Sequence, residues 1–450
     1  MSDLASTQDR SHQELDRLAG LAEEVIRRAR AAGASQAEVS ASIDTGLNVN
    51  VRLGEVETVE HSHDRGFGLT VYFGQRKGSA STADLNPDSI QATLEQACAI
   101  ARFTEEDPAA GLADADRMAT VFPDLDLWHP WQIDTAQAIA LGIEIEDAGR
   151  AHAGIINSDG AGVQMGQGLS VYANSHGFVG RERATRHSLS LALIAEDDNG
   201  MQRDYWYDSV RSAADFISAR ALGDKAAERT LSRLQARGLS TRQCPVLFAP
   251  EVARGLIGHL VSAVSGGSLY RRASFLLDHA GKQIMPAWLD ITEQPLLPRG
   301  HGSSAFDAEG VTTRASALIQ CGVLQRYVMG SYSARKLGLQ STGNAGGIHN
   351  LIVTPNEGDF ADMLKRLGTG LLVTEVMGQG VSTVTGDYSR GASGFWVEHG
   401  QIAYPVEEIT IAANLRDMFA GIVAVGADVD PRSHILTGSI LLERMTVAGE

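Results

Sequence analysis

The side chains that most often carry out catalysis or bind metals are sparse and scattered in this sequence. Cys98, Cys244 and Cys321 are its three cysteines, and no two of them stand in a C-x-x-C pair. This set predicts neither a disulfide framework nor a zinc ribbon. The thirteen histidines include no H-E-x-x-H pair, which excludes the commonest zinc-peptidase helix.

The sequence also lacks the motifs of nucleotide-binding proteins and serine hydrolases. It contains no G-x-x-x-x-G-K-[ST] loop and no G-x-S-x-G nucleophile elbow. Gly378-Gln379-Gly380 begins like a dinucleotide fingerprint, but Thr383 stands where the third glycine belongs. Short motifs therefore assign no chemistry to the chain.

Charge and length narrow the class of protein. The 38 Lys and Arg against 55 Asp and Glu leave a net charge of −17, which opposes binding to nucleic acid or to an anionic membrane. No apolar stretch approaches the about 18 residues of a membrane span, and the polar start predicts no signal peptide. We expect a cytoplasmic protein that binds neither nucleic acid nor membranes.

Hydrophobic periodicity predicts the elements that must position any active groups. Apolar residues recur every three or four positions from Leu15 to Ala29, which indicates an amphipathic helix. Strict alternation begins at Leu47, and the strand-like runs up to residue 83 predict an antiparallel meander with a turn at 64–66. A second series of a helix followed by hairpins starts near Ile133, which suggests a duplication.

The predicted fold class is α+β, in two parts. The amino-terminal half is α/β, with helices and antiparallel strand meanders, and a larger, mostly β domain follows it. Pro108 and Pro123 lie in a stretch with little periodicity, which we interpret as a linker. The predicted units are an amino-terminal helix (1–34), a first α/β unit (35–104), the linker (105–129), a second α/β unit (130–236) and the mostly β domain (237–450).

Long blocks of sequence are more informative than short motifs. In the first half they are Gly54-Glu55-Val56-Glu57, Gly68-Leu69-Thr70-Val71-Tyr72, Lys77-Gly78-Ser79-Ala80-Ser81, Asn174-Ser175-His176-Gly177 and Thr185-Arg186-His187-Ser188-Leu189-Ser190. In the second half they include Gly266-Gly267-Ser268-Leu269-Tyr270-Arg271, Ser331-Tyr332-Ser333-Ala334-Arg335-Lys336-Leu337-Gly338-Leu339, Ala345-Gly346-Gly347-Ile348-His349-Asn350 and Thr385-Gly386-Asp387-Tyr388-Ser389-Arg390-Gly391-Ala392. From about residue 35 to the end, the chain resembles the PmbA (TldE) branch of the TldD/PmbA metallopeptidase family.

The resemblance implies a metal motif that this chain has lost. TldD-type subunits of the family carry a helical H-E-x-x-x-H pair and a distant cysteine as zinc ligands. Here Arg254-Gly255-Leu256-Ile257-Gly258-His259 stands at that position, and no cysteine follows Cys321. A catalytic zinc needs about three protein ligands and a base for its water. We therefore expect no catalytic residue and no metal in this chain, and zinc in a TldD-type partner.

The resemblance also implies a function and partners. It makes this chain the PmbA/TldE-type subunit of a cytoplasmic TldD/TldE-like metallopeptidase that degrades or processes small or unfolded peptides, inactive by itself. Its expected partners are a TldD-type catalytic subunit and peptide substrates, with a homodimer as the alternative assembly when that subunit is absent. Two other functions stay open: a homodimeric metallopeptidase with other ligands, and a non-enzymatic regulator of the gyrase-modulator type.

For several candidate site residues, the sequence allows both a functional and a structural role. His259 is either a retained metal ligand or a structural histidine, and Cys321 either a nucleophile or a hairpin-turn residue; we favour the second of each pair. Asp307 and Glu309 are predicted to belong to a turn rather than to an active site. The glycine-rich loops either form tight turns or line a groove that receives an extended peptide by strand addition. The groove candidates are Gly346, Gly347, Gly378, Gln379 and Gly380.

Overall fold

The computed structural model describes residues 2–449, with side chains described from Arg10 onward. Its α-helices are α1 (Ser2–Ala31), α2 (Pro87–Phe103), α3 (Thr135–Arg150), α4 (Ala219–Ser232), α5 (Pro250–Ala263), α6 (Gly266–Tyr270), α7 (Ser331–Leu337), α8 (Phe360–Leu367) and α9 (Leu415–Ala420). The strands of the first half are β1 (Gln36–Arg52), β2 (Glu55–Phe73), β3 (Arg76–Thr82), β4 (Ile155–Asn174), β5 (Val179–Asp197) and β6 (Gly200–Val210). Those of the second half are β7 (Arg242–Phe248), β8 (Ile291–Glu293), β9 (Ser316–Gln320), β10 (Val323–Leu324), β11 (Leu351–Val353), β12 (Gly370–Met377), β13 (Asp387–Glu398), β14 (Gln401–Asn414), β15 (Ile422–Val425), β16 (Ile435–Leu436) and β17 (Ile440–Ala448).

A single six-stranded antiparallel sheet forms the amino-terminal half. Its strand order is β3-β2-β1-β4-β5-β6, so β1 and β4 pair at the centre. One helix precedes and another follows each set of three strands, α1 and α2 for the first set and α3 and α4 for the second. The helix-then-hairpins series therefore occurs twice, and both copies contribute to the same sheet.

The two faces of this sheet have opposite character, because side chains alternate along a strand. Apolar residues at odd positions of β1, from Ala37 to Val51, are buried under the four helices. The even positions carry polar side chains such as Ser40, Asp44 and Asn50, which are exposed or half-buried. All four helices thus cover one face, and the polar face is left to meet the carboxy-terminal domain.

The predicted turn at 64–66 is wrong. β2 is continuous, and these three residues pair with residues 42–44 of β1. β1 begins at Gln36, well before the alternation that starts at Leu47, so its ladder with β2 extends from Glu55 to Tyr72 with one irregularity at Asn50/Val51. An added Cβ on Gly66 would lie 3.1 Å from Ser42 Oγ, so this glycine allows a close approach between strands and makes no turn.

Two sheets form most of the carboxy-terminal domain. One has the order β14-β13-β12-β7-β17-β15, and an additional pairing of β14 with β17 closes five of these strands into a ring. The other has the order β10-β9-β8-β11-β16. The predicted α+β class, with an α/β amino-terminal half and a larger, mostly β carboxy-terminal domain, is confirmed. No helix in the range 2–449 is long and apolar enough to cross a membrane.

The stretch predicted to be a linker (105–129), which we call the strap, is fastened to the carboxy-terminal domain. Arg335 of α7 donates hydrogen bonds to three carbonyl oxygens between Ala109 and Leu112, two of them at 3.3 and 3.1 Å. Its guanidinium also lies 3.2 Å from the Asp114 carboxylate. A planar guanidinium can serve several acceptors at once, so one side chain holds residues 109–114 of the strap.

We predict that Arg335→Lys loosens the strap without unfolding the protein. An ammonium cannot satisfy the same set of acceptors, so we expect a loss of about 1–3 kcal/mol of unfolding free energy. Hydrogen exchange followed by mass spectrometry should show faster exchange at residues 107–114. Arg314→Lys is the matched control, because Arg314 is exposed and makes no hydrogen bond or ion pair within the described chain. Equal exchange in the two variants would contradict the role of Arg335.

Candidate functional site

Helix α5 carries the segment that resembles the zinc motif. It begins at Pro250, a position where proline fits because the first turn leaves its backbone N–H groups without helical partners. Leu256, Ile257 and Leu260 are buried in the core. The four residues at the motif positions, which lie on the more accessible side of the helix, are Arg254, Gly255, Gly258 and His259.

Arg254 is fixed at the place of the first zinc ligand by a group of polar partners. Its guanidinium donates to Tyr207 Oη of β6 at 3.0 Å and lies 3.5 Å from Asp430 Oδ2. Arg432 also binds Asp430, at 2.8 and 3.1 Å. Burial favours a raised pKa for Asp430, but the hydrogen bonds and charge of Arg432 outweigh it and lower that pKa. The side chain at this position is therefore a structural cation.

His259 and Gly255 also fail to provide a metal site. The His259 ring packs edge-on against Tyr388, with ring centroids 5.9 Å apart. Burial, and then the charge of Arg390, lowers the pKa of His259. Cys321 lies exposed in the two-residue turn between β9 and β10. Among residues 10–449, no group of three or more His, Cys, Asp and Glu side chains is arranged to hold a metal ion. The residues at the motif position do not fit a catalytic zinc.

A cavity of about 850 Å³ lies between the polar face of the amino-terminal sheet and the carboxy-terminal domain. We call it the interdomain cavity. Its sheet wall includes Ser40, Ser170 and Glu182, and its other wall includes Phe306 and the segment 345–349. The volume falls in the range of about 300–1,000 Å³ that is usual for ligand sites.

The predicted groove residues fall in two different places. Gly346 and Gly347 line the interdomain cavity, at φ values of 90° and 128° that favour glycine. Gly378, Gln379 and Gly380 follow β12 and do not line this cavity. An added Cβ on Gly380 would lie 1.8 Å from the carbonyl oxygen of Ser389. Gly380 therefore packs closely against the start of β13.

A histidine and a carboxylate form a pair in the wall of the interdomain cavity. His349 precedes β11, which pairs with β8 so that Leu351 lies opposite Glu293. This register places His349 Nδ1 3.1 Å from Glu293 Oε1, and Arg326 and Asn344 also bind the carboxylate. Burial favours a raised pKa for Glu293, but its bonds to His349 and the charge of Arg326 lower it. The ionised Glu293 accepts the Nδ1 proton, so Nε2 is the acceptor in the neutral imidazole of His349.

Two further carboxyl groups line the interdomain cavity. Glu182 accepts a hydrogen bond from Ser304 Oγ, and burial raises the pKa of Glu182. Asp307 accepts from the backbone N–H groups of Ala345, Glu309 and Val311 at 2.9–3.0 Å. Burial raises the pKa of Asp307 to about 6. Asp307 thus joins two loops, in keeping with its interpretation as a turn residue.

The sequence analysis missed the charged groups of the interdomain cavity. Glu182 lies in a part of β5 that the sequence analysis did not predict as a strand. Glu293 lies 56 residues before His349, so no local spacing connects this pair. His349 does lie inside the block 345–350 that carries the family resemblance. That block was the available signal, and only the β8–β11 pairing shows which carboxylate His349 binds.

Burial and neighbouring positive charges keep several histidines in their neutral form. Burial, followed by Arg186 and Arg211, lowers the pKa of His301 to about 4. Burial is also the first cause of the lowered pKa of His187, His259 and His434. These groups favour the native state only while they are unprotonated.

Three family models match the chain in consecutive order. The PmbA/TldA metallopeptidase domain 1 matches residues 37–101, the central domain matches 128–234, and the C-terminal domain matches 241–449. Among similar proteins, Metalloprotease PmbA of Escherichia coli O157:H7 is 52% identical over 92% of each chain. Metalloprotease PmbA homolog of Haemophilus influenzae is 49% identical over 94% of each chain.

Two solved structures are similar over nearly the whole chain. One, from Bacteroides thetaiotaomicron and described as a modulator of DNA gyrase, has a TM-score of 0.90 at 26% identity and covers 96% of this chain and 98% of its own. The other, TldE from Thermococcus kodakarensis, has a TM-score of 0.82 at 19% identity, with coverages of 95% and 100%. At that identity the second likeness shows the fold alone.

We predict that acidification destabilises the protein partly through His301. In the unfolded chain this histidine takes up a proton near its ordinary pKa of 6.5, whereas the native state resists protonation down to about 4. The unfolding free energy should therefore fall as the pH drops below 6.5. Urea unfolding at pH 7.5 and 5.5 should show a decrease smaller by about 1 kcal/mol in His301→Gln than in the wild type. The control is His12→Gln, on the exposed side of α1; equal pH dependence in both variants would refute the prediction.

Proposed function

The chain belongs to the PmbA/TldD metallopeptidase family, and we propose that it acts as the PmbA/TldE-type subunit of a peptidase complex in the cytoplasm. In this proposal a TldD-type chain holds the zinc and hydrolyses the peptide bond. The present chain contributes surfaces that bind the partner and the peptide. The substrates are small or unfolded peptides.

The state of Arg254 is the observation that carries this proposal. If the family histidine were simply missing, another side chain could still bind a metal at this position. Here the guanidinium of Arg254 occupies the position and is bound by Tyr207 and Asp430. A permanent cation opposes a dication at short range. Gly255, at the position of the family glutamate, has no side chain to act as a base. Both the metal and the activated water must then come from another subunit.

The polar face of the amino-terminal sheet supports the peptide-binding part of the proposal. An extended peptide needs hydrogen-bonding groups and little steric obstruction. The wall of the interdomain cavity provides small residues on neighbouring strands, among them Ser40, Gly68 and Ser170, with Gly346 and Gly347 opposite. A homodimeric metallopeptidase would need ligands from residues other than those on α5, and a DNA-binding regulator would have to overcome a net charge of −17.

We predict that restoring two motif residues does not restore zinc binding. The double variant Arg254→His, Gly255→Glu would have two histidines but still no third ligand and no groups to orient the new one. No heavy atom lies within 4 Å of an added Cβ on Gly255, so the glutamate fits without strain. Metal analysis after dialysis should find less than about 0.1 zinc per chain in both wild type and variant. About one zinc per wild-type chain, lost in His259→Ala, would instead support the homodimeric enzyme.

We predict that peptide cleavage requires a TldD-type subunit. Each chain should be assayed alone and in an equimolar mixture on an unfolded peptide, with and without a chelator. We expect at least about a hundredfold more cleavage by the mixture than by this chain, because removal of zinc-activated water costs several kcal/mol in the transition state. His259→Ala should leave the mixture active, whereas the same change in the partner's own motif should abolish cleavage. Chelator-sensitive cleavage by this chain alone would refute the non-catalytic role.

A further inference from the structure

The two carboxyl groups that line the interdomain cavity, those of Glu182 and Asp307, have no lysine or arginine partner. None of the described residues that line this cavity is lysine or arginine, and the same holds for an adjoining cavity of about 410 Å³ that contains Glu38 and Glu309. Neutral donors hold these acids instead. Glu182 is bound by a serine hydroxyl, and Glu38 by the hydroxyls of Tyr172 and Tyr72 at 2.7 and 2.9 Å. No lysine or arginine of the described chain therefore compensates these acids.

Three buried carboxylates that do not line the cavity are paired with arginine. Asp430 binds Arg432, and Glu293 binds Arg326. Asp204, only 6% exposed, has two guanidinium groups within 3.6 Å. Pairing is the usual way to compensate a buried charge. The absence of such a pair distinguishes Glu182 from these three carboxylates.

A second, independent feature of the cavity also lacks a partner. His349 is only 8% exposed and lines the cavity. Its Nδ1 is used by Glu293, whereas its Nε2 has no hydrogen-bond partner among residues 10–449. A ring nitrogen that has no partner on a cavity wall can form a hydrogen bond with a ligand. Glu182 and His349 both present acceptors to the same space, so the complementary ligand is a hydrogen-bond donor.

The shape and composition of the cavity favour an organic cation over a metal ion. Its volume of about 850 Å³ exceeds what a bare ion fills, and Phe306 and Ile348 add apolar surface beside the carboxylates. No described group of three His, Cys, Asp or Glu side chains has the arrangement of a metal site. An ammonium group on an aliphatic stem matches both kinds of wall.

We propose that the interdomain cavity binds a primary ammonium group of a peptide, with Glu182 as the counter-charge and His349 Nε2 as an additional acceptor. The ammonium is either the peptide's α-amine or a lysine side chain, and both present the same chemistry. This inference rests on the proposed peptide-handling function and adds a rule of selectivity to it. Peptides that carry an accessible amine are bound in preference to those that do not.

The test is direct binding of labelled peptides to the full chain, which needs no catalytic partner. Three octapeptides with a carboxy-terminal fluorophore serve as probes: one with a free α-amine and no lysine or arginine, its N-acetylated form, and the N-acetylated form with one lysine. Binding is measured by fluorescence anisotropy at pH 7.5. The wild type should bind one or both of the amine-bearing peptides at least about tenfold more tightly than the acetylated lysine-free peptide. A charge-assisted hydrogen bond accounts for a difference of this size. The probe that is favoured identifies the source of the ammonium.

Glu182→Gln is the diagnostic variant, because it removes the charge while keeping an acceptor for Ser304. It should reduce the preference for amine-bearing peptides to less than about twofold, whereas Glu182→Asp should retain part of it. The matched control is Glu196→Gln, an exposed carboxylate on the same strand β5, which should bind like wild type. Thermal unfolding of each variant establishes that it is folded.

Three results would overturn the inference: equal binding of all three peptides, an intact preference in folded Glu182→Gln, or no binding of any probe at 1 mM, about the weakest affinity that counts as binding. None of them decides the proposed function, which depends on cleavage by the mixed subunits. Conversely, a chain that prefers amines but adds nothing to a TldD-type subunit would keep this inference and lose the proposed function.

Discussion

The architecture depends on one constraint, the alternation of apolar and polar side chains along the long central strands β1 and β4. Four helices bury the apolar face, and this leaves a polar face that must contact the other half of the molecule through specific hydrogen bonds. Arg211, just after β6, provides two of these by donating to the carbonyl oxygens of Gly300 and His301 at 3.0 Å. Gly180 provides close packing, because an added Cβ there would lie 2.5 Å from the Phe306 ring. The cavity lies where these contacts leave the sheet uncovered.

The segment of α5 that resembles the zinc motif is part of this connection between the two halves. Arg254 of α5 binds Tyr207 of the amino-terminal sheet, and Arg432 donates to the backbone carbonyl of the same tyrosine at 2.7 Å. The Arg432 guanidinium also lies 4.0 Å from the centre of the Trp206 ring, close enough for a cation–π contact. Asp430 joins the two guanidinium groups. Arg254 thus makes a contact between the two halves of the molecule.

The sequence was sufficient for the fold class and the family, but not for the site. Alternation predicted strands correctly where one face is buried, as from Leu47 to Val51, because burial is what that pattern encodes. It failed at 64–66, where Asp, Arg and Gly lie on a projecting part of β2 that helices do not cover, so composition mimicked a turn. Glu182 and His349 were missed for a different reason. Their roles come from strand register and domain contact, which bring together residues far apart in the chain.

The two halves of the sheet follow the same plan but differ in how their outer edges are covered. In each half the middle strand is longer than its outer neighbour: β3 pairs with β2 only from Phe67 onward, and β6 pairs with β5 only from His187 onward. The unpaired part of β5 is occupied by the strap, since Thr185 N–H donates to the carbonyl of Leu127 at 2.9 Å. The corresponding part of β2, residues 55–66, has no strand partner on its outer edge among the described residues and is exposed along most of its length. The strap and the carboxy-terminal domain together enclose the stretch of β5 that contains Glu182, and this enclosure removes water from its carboxylate. The acidic side chains on the open stretch of β2 remain exposed to water.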